Sequence, residues 1–485
     1  MLGPGLRYWE FACELSRQQP VTLLTPNDSQ LSHERFTVRS YADPSVIKQA
    51  IAEHSVVILQ GFTLFLHREI LPLLQATGNY IAIDLYTPLD LEGLEIRPDT
   101  SEFAINWNLV DVNTLREQIK IGDFFFCASE RQRDYWLGML SALGRLNPHT
   151  YLDDRTARRL IDVVPFGLSS EPAIYRHAVL KGVHPAIAST DKVILWFGGM
   201  WNWLDPGTVV SAFARIIPQY RNARLVFVTQ MPADLSEPSS AAAKQALDLS
   251  RELGLYDDKV LFCGTVPFSD RQNLLCEADI GLCYNAEHLE ARFSFRTRLL
   301  DYIWTGLPII TGRGDILGQL VDAEGLGHTV PPADVEGLAA AMSALLKEDD
   351  ARGIRQLAFA RVRERLTWEN AVAPLRDFCR KPRHAADQGI EAYEPYRSPD
   401  WERLVIDKVE NEHRVTLLRR QVEEQEAVIQ AKDALIQAKD AYICDLLNGR
   451  VMRLMVGAQG RLHKLRGQQR VPGGEGGHHQ ETGES

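Results

Sequence analysis

Residues 287–308 hold the densest group of chemically capable side chains in this sequence of 485 residues. Ser294 is a good residue to cap the amino end of a helix, Gly306 suits the position after the carboxyl end, and Pro308 prevents continuation. We therefore predict a helix of about eleven residues between Ser294 and Gly306. The helical repeat places its polar residues on one narrow stripe: Ser294, Thr297, Arg298, Asp301 and Thr305.

Three arginines, Arg292, Arg296 and Arg298, gather at the predicted start of this helix. The helix dipole disfavours a cation there by a few tenths of a kcal/mol, so the arrangement favours a bound anion. Backbone N–H groups and guanidinium groups would converge on a diphosphate, while Asp301 would accept hydrogen bonds from a ribose diol. The alternative is a structural ion pair between Arg298 and Asp301, which leaves the other two arginines unexplained.

Two further loops have the composition of ligand-binding loops. Gly198 and Gly199 follow a strand candidate, and paired glycines let the backbone approach a phosphate. Trp201 and Trp203 come next, and they either flank a sugar or base or serve as packing. Another strand candidate leads into the loop around Thr265, whose backbone groups are candidates for holding a nucleobase.

Short β-rich runs alternate with helical stretches over most of the chain, the pattern of parallel sheets with crossover helices. We predict an α/β fold of two doubly wound, Rossmann-like domains, residues 1–180 and 186–380, with their connection within 177–191. Their carboxyl strand ends would face a common cleft, where ligands of such folds bind. The strand candidates are 21–24, 56–59, 80–85, 124–127 and 163–165 in the first domain, and 193–197, 225–228, 260–263, 280–284 and 308–311 in the second.

The two ends of the chain depart from this pattern. A Gly-Pro-Gly run precedes an amphipathic helix at 6–16 with no room for a strand before it, so we expect the first strand to be missing. Prolines indicate a linker at 381–400. Apolar pairs recur every seven residues within 401–456, which favours a coiled coil and self-association, or else one helix lying on the body. Residues 457–485 have the composition of a disordered tail.

Composition narrows the class of protein. The net charge of −11 argues against a general nucleic-acid binder, because no overall positive field attracts phosphates. The seven cysteines are scattered without a Cys-x-x-Cys pair, which favours core residues in a reducing compartment and argues against zinc. The sequence shows no leader or membrane-spanning run, so we expect a cytoplasmic protein.

These elements resemble the donor domain of the group 1 (family 4) retaining glycosyltransferases, and more narrowly a bacterial branch associated with surface polysaccharides. The likeness extends over roughly residues 1–375, outside the predicted coiled coil. Four stretches carry it: GPGLRYWE from Gly3, DLYTP from Asp84, WFGGMWNWLDP from Trp196 and FSFRTRLLD from Phe293.

The resemblance implies the two-domain GT-B fold and a hexosyltransferase that needs neither metal nor cofactor. A nucleoside-diphosphate sugar would donate its sugar, with retention, to a glycan or lipid-linked acceptor. The enzyme would lie in the cytoplasm, with a peripheral position at the inner membrane as a further expectation. Arg296 would neutralise the leaving diphosphate. The donor-binding residues would be Gly198, Gly199, Thr265, Glu290, Ser294, Thr297, Arg298 and Asp301.

On the acceptor side, the resemblance directs Gly3, Gly5 and Arg7 to the cleft. Asp84 either orients or deprotonates the acceptor hydroxyl or serves as a loop cap. One departure from the family is that Phe293 stands where the first glutamate of its Glu-x7-Glu pattern belongs, with Glu290 the candidate replacement. Two alternatives therefore stay open: a non-enzymatic GT-B scaffold in a glycan-assembly complex, and a nucleotide-sugar epimerase.

Overall fold

A computed structural model describes residues 3–61, 63–229, 240–348, 350–390, 400–448, 454–455 and 457–461. The chain divides into two compact units, Met1–Arg403 and Leu404–Ser485. Residues 391–399 of the predicted linker and 462–485 of the predicted tail lie outside the described residues.

The amino-terminal part of the first unit contains a pair of parallel strands and a parallel four-stranded sheet. Its elements are α1 (Gly3–Leu15), β1 (Thr22–Thr25), β2 (Thr37–Ser40), α2 (Ser45–Glu53), β3 (Val56–Gln60), α3 (Thr63–Leu66), a 3-10 turn (Arg68–Ile70), α4 (Leu71–Thr77), β4 (Tyr80–Asp84), α5 (Leu89–Ile96), α6 (Glu102–Ile121), β5 (Phe124–Cys127), α7 (Glu130–Ala142), α8 (Pro148–Asp153) and β6 (Ile161–Val163). The pair is β1-β2 and the sheet order is β3-β4-β5-β6. All residues of β5 are buried, as expected for a strand covered on both faces.

The next part of the unit contains a second parallel sheet of six strands. Its elements are β7 (Lys192–Phe197), α9 (Pro206–Ile216), β8 (Ala223–Val228), α10 (Ala241–Glu252), β9 (Val260–Cys263), a 3-10 turn (Phe268–Asp270), α11 (Arg271–Glu277), β10 (Ile280–Cys283), α12 (Leu289–Phe293), α13 (Thr297–Thr305), β11 (Ile309–Gly312), α14 (Ile316–Glu324), β12 (Gly327–Val330), α15 (Val335–Lys347), α16 (Ala351–Arg365), α17 (Trp368–Ala371) and α18 (Ala373–Arg380). The strand order β12-β11-β10-β7-β8-β9 changes direction between β10 and β7, which creates the crevice where ligands of such sheets bind.

Tyr302 fixes helix α13 against this sheet. Its ring packs on Gly281, where a Cβ atom would come within 2.5 Å of the ring. The Tyr302 hydroxyl accepts the Phe197 N–H at 3.1 Å and lies 3.0 Å from the Leu282 carbonyl as a donor. One buried side chain therefore connects α13 to both β7 and β10, and so fixes the position of the arginines at its start.

The carboxyl-terminal residues of the first unit, from Trp368 onwards, contact the first domain again. The backbone of Trp368 passes so close to Gly167 that a Cβ there would lie 2.5 Å from it, and α17 contacts α1. Arg145 then donates to a fully buried Asp387 at 2.7 Å. Ala385 and Asp387, within the predicted linker, are thus buried against the first domain, and the linker bounds themselves stay a prediction.

Most strand candidates lie within about two residues of an observed strand. The last strand of the first sheet is Ile161–Val163 rather than 163–165, and the helix predicted at 6–16 is Gly3–Leu15. Strands β2 and β12 were missed because their runs TVRS and GHTV are short and partly polar. The six cysteines with described side chains form no disulfide.

The second unit consists largely of α19 (Asp400–Asn448). Its described side chains, 414–441 and 443, are exposed. Five of them are β-branched residues spaced seven apart: Val415, Val422, Ile429, Ile436 and Ile443. The coiled coil itself stays a prediction. Among the described residues, no helix is both long and apolar enough to cross a membrane.

Candidate active site

The start of α13 differs from the prediction. The helix spans Thr297–Thr305, nine residues, and Arg296 occupies its capping position without a side-chain capping bond. Ser294 instead ends the short helix α12, where its hydroxyl donates to the Ala291 carbonyl at 3.0 Å. The expectation that Ser294 caps α13 is wrong. Ser294 lies at the carboxyl end of α12, a short helix that the sequence pattern did not indicate. The first backbone N–H groups of α13 therefore have no side-chain cap.

Arg296 forms a buried ion pair with Glu290. Its two terminal nitrogens donate to the two carboxylate oxygens at 3.1 and 2.6 Å, and the residues are 8% and 2% exposed. The carboxylate thus supplies a counter-charge for the guanidinium that was expected to neutralise the diphosphate. Only Nε of Arg296 is buried without a partner. The expected surplus of positive charge is correspondingly smaller.

Arg298 occupies the position expected of a phosphate-binding group. Its Nη2 donates to the Gly199 carbonyl at 2.6 Å, and its guanidinium lies over the Trp196 ring at 4.9 Å. Gly198 has a φ of +106°, a conformation that favours glycine, and a Cβ there would lie 3.8 Å from the guanidinium carbon. Nη1 of Arg298 is buried and has no partner. The predicted glycine loop and the predicted arginine are therefore brought together, whereas Arg292 is exposed.

Asp301 pairs with Arg271 of α11 at 2.9 Å rather than with Arg298. Burial raises the pKa of Asp301, and the two neighbouring arginines oppose this rise. The alternative of a structural pair within α13 is therefore wrong. Arg271 was missed because it lies thirty residues upstream and only the fold brings it close. Thr297 is half-buried at the first position of α13, and Thr265 is exposed in the loop after β9.

Further polar groups missed in the sequence lie near the carboxyl ends of β10 and β11. Asn285 Oδ1, Thr311 Oγ1 and Asp315 Oδ2 are buried without hydrogen-bond partners. Burial raises the pKa of Asp315, whose other oxygen caps α14 by accepting the Gly318 N–H. Buried polar groups are nearly always satisfied, so unsatisfied atoms on adjacent strand ends indicate a site for a polar ligand or water.

At the first sheet, Asp84 and Arg7 form a closed ion pair. Arg7 Nε and Nη2 donate to the two Asp84 oxygens at 2.8 and 3.1 Å, and Nη2 also donates to the Val164 carbonyl at 2.7 Å. Arg7 is 1% exposed and Asp84 3%. Four aromatic rings surround the guanidinium at 4.6 to 5.7 Å: Phe11, Tyr86, Phe126 and Phe166. Asp84 is thus paired with Arg7, although nothing in the sequence indicated that these two acceptor-side residues contact each other.

A small cavity adjoins this pair. Arg7, Tyr8 and Asp84 line it together with Pro4, Gln60, Gly61, Tyr86 and Thr87, and its volume is about 10 Å³. That volume fits about one water-sized group. Arg7 Nη1 and the Tyr8 hydroxyl are buried there without partners. Gly3 and Gly5 are exposed in the first turn of α1.

The two sheets meet at the segment before α13. Tyr86 donates to the Phe295 carbonyl at 3.2 Å, and Gln132 donates to the Phe293 carbonyl at 2.8 Å. The Phe293 ring packs on Tyr135 at 4.8 Å. Phe293, at the position of the family's first glutamate, is therefore a packing contact between domains. Tyr86 links the cavity at Arg7 to the segment that carries Arg296.

Glu92 of α5 lies at the same junction, where α5 packs on α12. Burial raises the pKa of Glu92 to about 8, the Glu290 carboxylate adds to this rise, and Arg296 opposes it. Glu92 is therefore largely protonated near neutral pH. Within the described residues, no cluster of three or more His, Cys, Asp or Glu residues is placed to hold a metal ion.

Comparisons with known proteins agree with the fold. Residues 191–348 match the family described as glycosyl transferases group 1. Sucrose-phosphate synthase from Thermosynechococcus elongatus superposes with a TM-score of 0.52 at 17% identity, covering 78% of this chain and 93% of that one. HepE from Anabaena, solved with UDP and glucose, gives 0.56 at 14% identity over 78% and 95%. WaaG, a glycosyltransferase involved in lipopolysaccharide biosynthesis, gives 0.50 at 14% identity over 80% and 96%.

No curated protein sequence matches the chain significantly. The two parallel sheets and these structural neighbours show that the fold is GT-B, as predicted. The match over residues 191–348 of the second domain confirms the group 1 part of the resemblance seen in the sequence, while the retaining mechanism and the polysaccharide branch stay predictions.

Proposed function

We propose that the protein transfers a hexosyl group, with retention and without a metal ion, from a nucleoside-diphosphate sugar to a glycan or lipid-linked acceptor. One observation carries the proposal. Arg298 lies beside the Gly198–Gly199 loop at the uncapped start of α13, with Nη1 buried and unpartnered. A partly buried guanidinium with no carboxylate bonded to it, at a helix start without a side-chain cap, is suited to bind a diphosphate.

The donor would bind along the start of α13. The glycine loop, the Thr297 N–H and hydroxyl, and Arg298 would hold the diphosphate, and Asp301 would accept from the ribose hydroxyls. Arg296, whose terminal nitrogens donate to Glu290, would direct its Nε towards the same anion. As the bond between the sugar and the diphosphate breaks, negative charge develops on the leaving phosphate, and these groups stabilise that charge. In a front-face displacement, that phosphate takes the proton of the attacking hydroxyl.

The acceptor would reach the site from the first domain. The cavity beside Arg7 fits one hydroxyl, which would accept from Arg7 Nη1 and interact with Tyr8. In this arrangement Asp84 acts as a positioning residue that holds Arg7. This replaces the simpler hypothesis that Asp84 deprotonates the acceptor.

One structural neighbour supports the biological setting that we propose, surface polysaccharide synthesis in the cytoplasm at the inner face of the membrane, and another supports the proposed donor. WaaG is involved in lipopolysaccharide biosynthesis, and HepE was solved with UDP and glucose. We further propose that α19 pairs with a second copy of the chain. Its five exposed β-branched residues recur every seven positions, the spacing of one core position in a parallel dimer.

Nucleotide binding tests the proposed donor site directly. We expect UDP or GDP at a hundred times its dissociation constant to stabilise the protein by about 2.7 kcal/mol in thermal unfolding. Arg298→Ala should weaken that binding at least tenfold, because it removes a charged hydrogen-bond donor. Arg292→Ala is the matched control, because it removes an exposed arginine of α12 that is not needed for that contact.

Equal loss of binding in both variants, or no stabilisation by any nucleotide, would contradict the proposal. The second candidate is the non-enzymatic scaffold, which is favoured by Phe293 packing between the domains in place of a glutamate. Incubation with labelled sugar nucleotides and a panel of methyl glycosides separates the two. Nucleotide binding without release of the nucleoside diphosphate, with or without acceptor, would support the scaffold.

A further inference from the structure

A pair of stacked tryptophans lies directly after the glycine loop. The Trp201 and Trp203 rings are 5.6 Å apart and inclined by 19°. Trp201 is 47% exposed, although Met200 and Leu204 in the same loop are buried. The Trp201 indole is therefore about half exposed in a loop whose neighbouring residues are buried, and it presents an apolar face to the solvent.

Three hydrogen bonds hold this loop in place. The Met200 carbonyl accepts from the Ser240 hydroxyl, and Asn202 Oδ1 accepts the Ala241 N–H at 3.1 Å. The Trp203 carbonyl accepts from His288 Nε2 at 2.8 Å, while His288 Nδ1 accepts the Ala291 N–H. The loop is therefore fastened both to the start of α10 and to α12, so the orientation of the tryptophans is fixed before any ligand binds.

The Trp201 indole covers one side of the glycine loop. A Cβ atom on Gly199 would lie 2.6 Å from Trp201 Nε1, and the Gly199 carbonyl accepts from Arg298. The exposed ring is thus next to the groups that we assign to the diphosphate.

We propose that Trp201 is a stacking platform for the sugar ring of the donor. This inference rests on the proposed function and assigns a residue to its sugar subsite. Asp301 and Arg271 mark the ribose side, further along α13. Because the diphosphate separates ribose from sugar, the sugar lies on the opposite side of Arg298, where the loop joins α12 through His288. The C–H face of a pyranose is apolar and gains from contact with an indole.

The test compares a nucleotide with its own sugar conjugate. In titration calorimetry of the full chain, Trp201→Ala should bind UDP within about twofold of the wild type but UDP-glucose about tenfold more weakly. Trp201→Phe, which keeps a flat ring, should recover most of the UDP-glucose affinity. If only guanine nucleotides stabilise the wild type, GDP and GDP-mannose are the probes. Leu253→Ala, a similarly exposed apolar residue at the end of α10, is the matched control.

Two results would overturn this inference and leave the proposed function intact. An equal loss of UDP and UDP-glucose affinity in Trp201→Ala would mean that the ring stacks on the base. Unchanged affinity for both would mean that Trp201 only packs on Trp203. A wild type that binds neither UDP nor GDP, free or conjugated, would overturn both the inference and the proposed function.

Discussion

The carboxyl ends of the two sheets use arginine in opposite ways. At the first sheet, Arg7 has a carboxylate partner in Asp84 and is enclosed by aromatic rings. At the second sheet, Arg298 has a carbonyl and a ring as neighbours and no bonded carboxylate, although both arginines keep one buried terminal nitrogen without a partner. A buried charge is tolerated when a counter-charge is nearby. Arg7 therefore has its counter-charge within the fold, whereas Arg298 lacks one and is suited to a counter-charge brought by a ligand.

Arg296 shows that the two uses of arginine depend on whether a carboxylate partner is present and not on the domain in which the arginine lies. It is only two residues from Arg298, yet Glu290 gives it the kind of closed ion pair seen for Arg7. Neighbouring arginines in one segment can thus serve different purposes. Substitutions of the carboxylates around these arginines should distinguish a structural role from a ligand-binding role.

The largest effect is expected for Asp84→Asn. It leaves Arg7 charged and buried without a counter-charge, so the free energy of unfolding in urea should fall by about 3–5 kcal/mol. The double variant Arg7→Met with Asp84→Asn should recover most of this loss, because it removes the stranded charge. A loss below about 1 kcal/mol in the single variant would show that this pair is not the closed contact described here.

A smaller effect is expected for Glu290→Gln, about 2 kcal/mol in urea unfolding, because Asp315 also contributes negative charge near Arg296. Releasing Arg296 should let a nucleoside diphosphate recover part of this loss. UDP or GDP should therefore stabilise the variant more than the wild type in thermal unfolding. Equal stabilisation of both proteins would mean that Arg296 does not face the diphosphate.

The smallest effect concerns Glu92, where burial and the Glu290 carboxylate raise the pKa to about 8 from the usual 4.5. A carboxyl with a raised pKa in the folded state stabilises the fold fully below its unfolded pKa and loses that contribution as pH rises to its folded pKa. Unfolding free energy should therefore fall between pH 4.5 and 8 in the wild type. Glu92→Gln, which is neutral at every pH, should flatten this decline, while its effect on stability at neutral pH should be small because Glu92 is already largely protonated there.

Urea midpoints measured from about pH 5 to 9 on both proteins provide this comparison. Glu95→Gln, on the same helix but facing His288 at 3.9 Å, is the control. Identical pH profiles for Glu92→Gln and the wild type would show that Glu92 titrates as an ordinary exposed carboxyl.

Much of the fold followed from the sequence because parallel strands buried on both faces leave continuous apolar runs, as in 124–127 and 193–197. Helix α13 was found from its end signals, since Gly306 does adopt the left-handed conformation at its carboxyl end. The start of α13 was predicted too early because a serine before a helical run is a typical amino-terminal cap. The structure shows that Ser294 instead lies at the end of α12.

Short segments of the sequence were enough to predict two parallel sheets, a glycine loop and an arginine-rich helix start, because periodicity and capping preferences are local properties. Which arginine has a carboxylate partner and which lacks one depends on the tertiary structure. The partners Asp84, Glu290 and Arg271 come from other elements. An ion pair depends on distances of a few ångströms between side chains, and those distances exist only once the chain has folded.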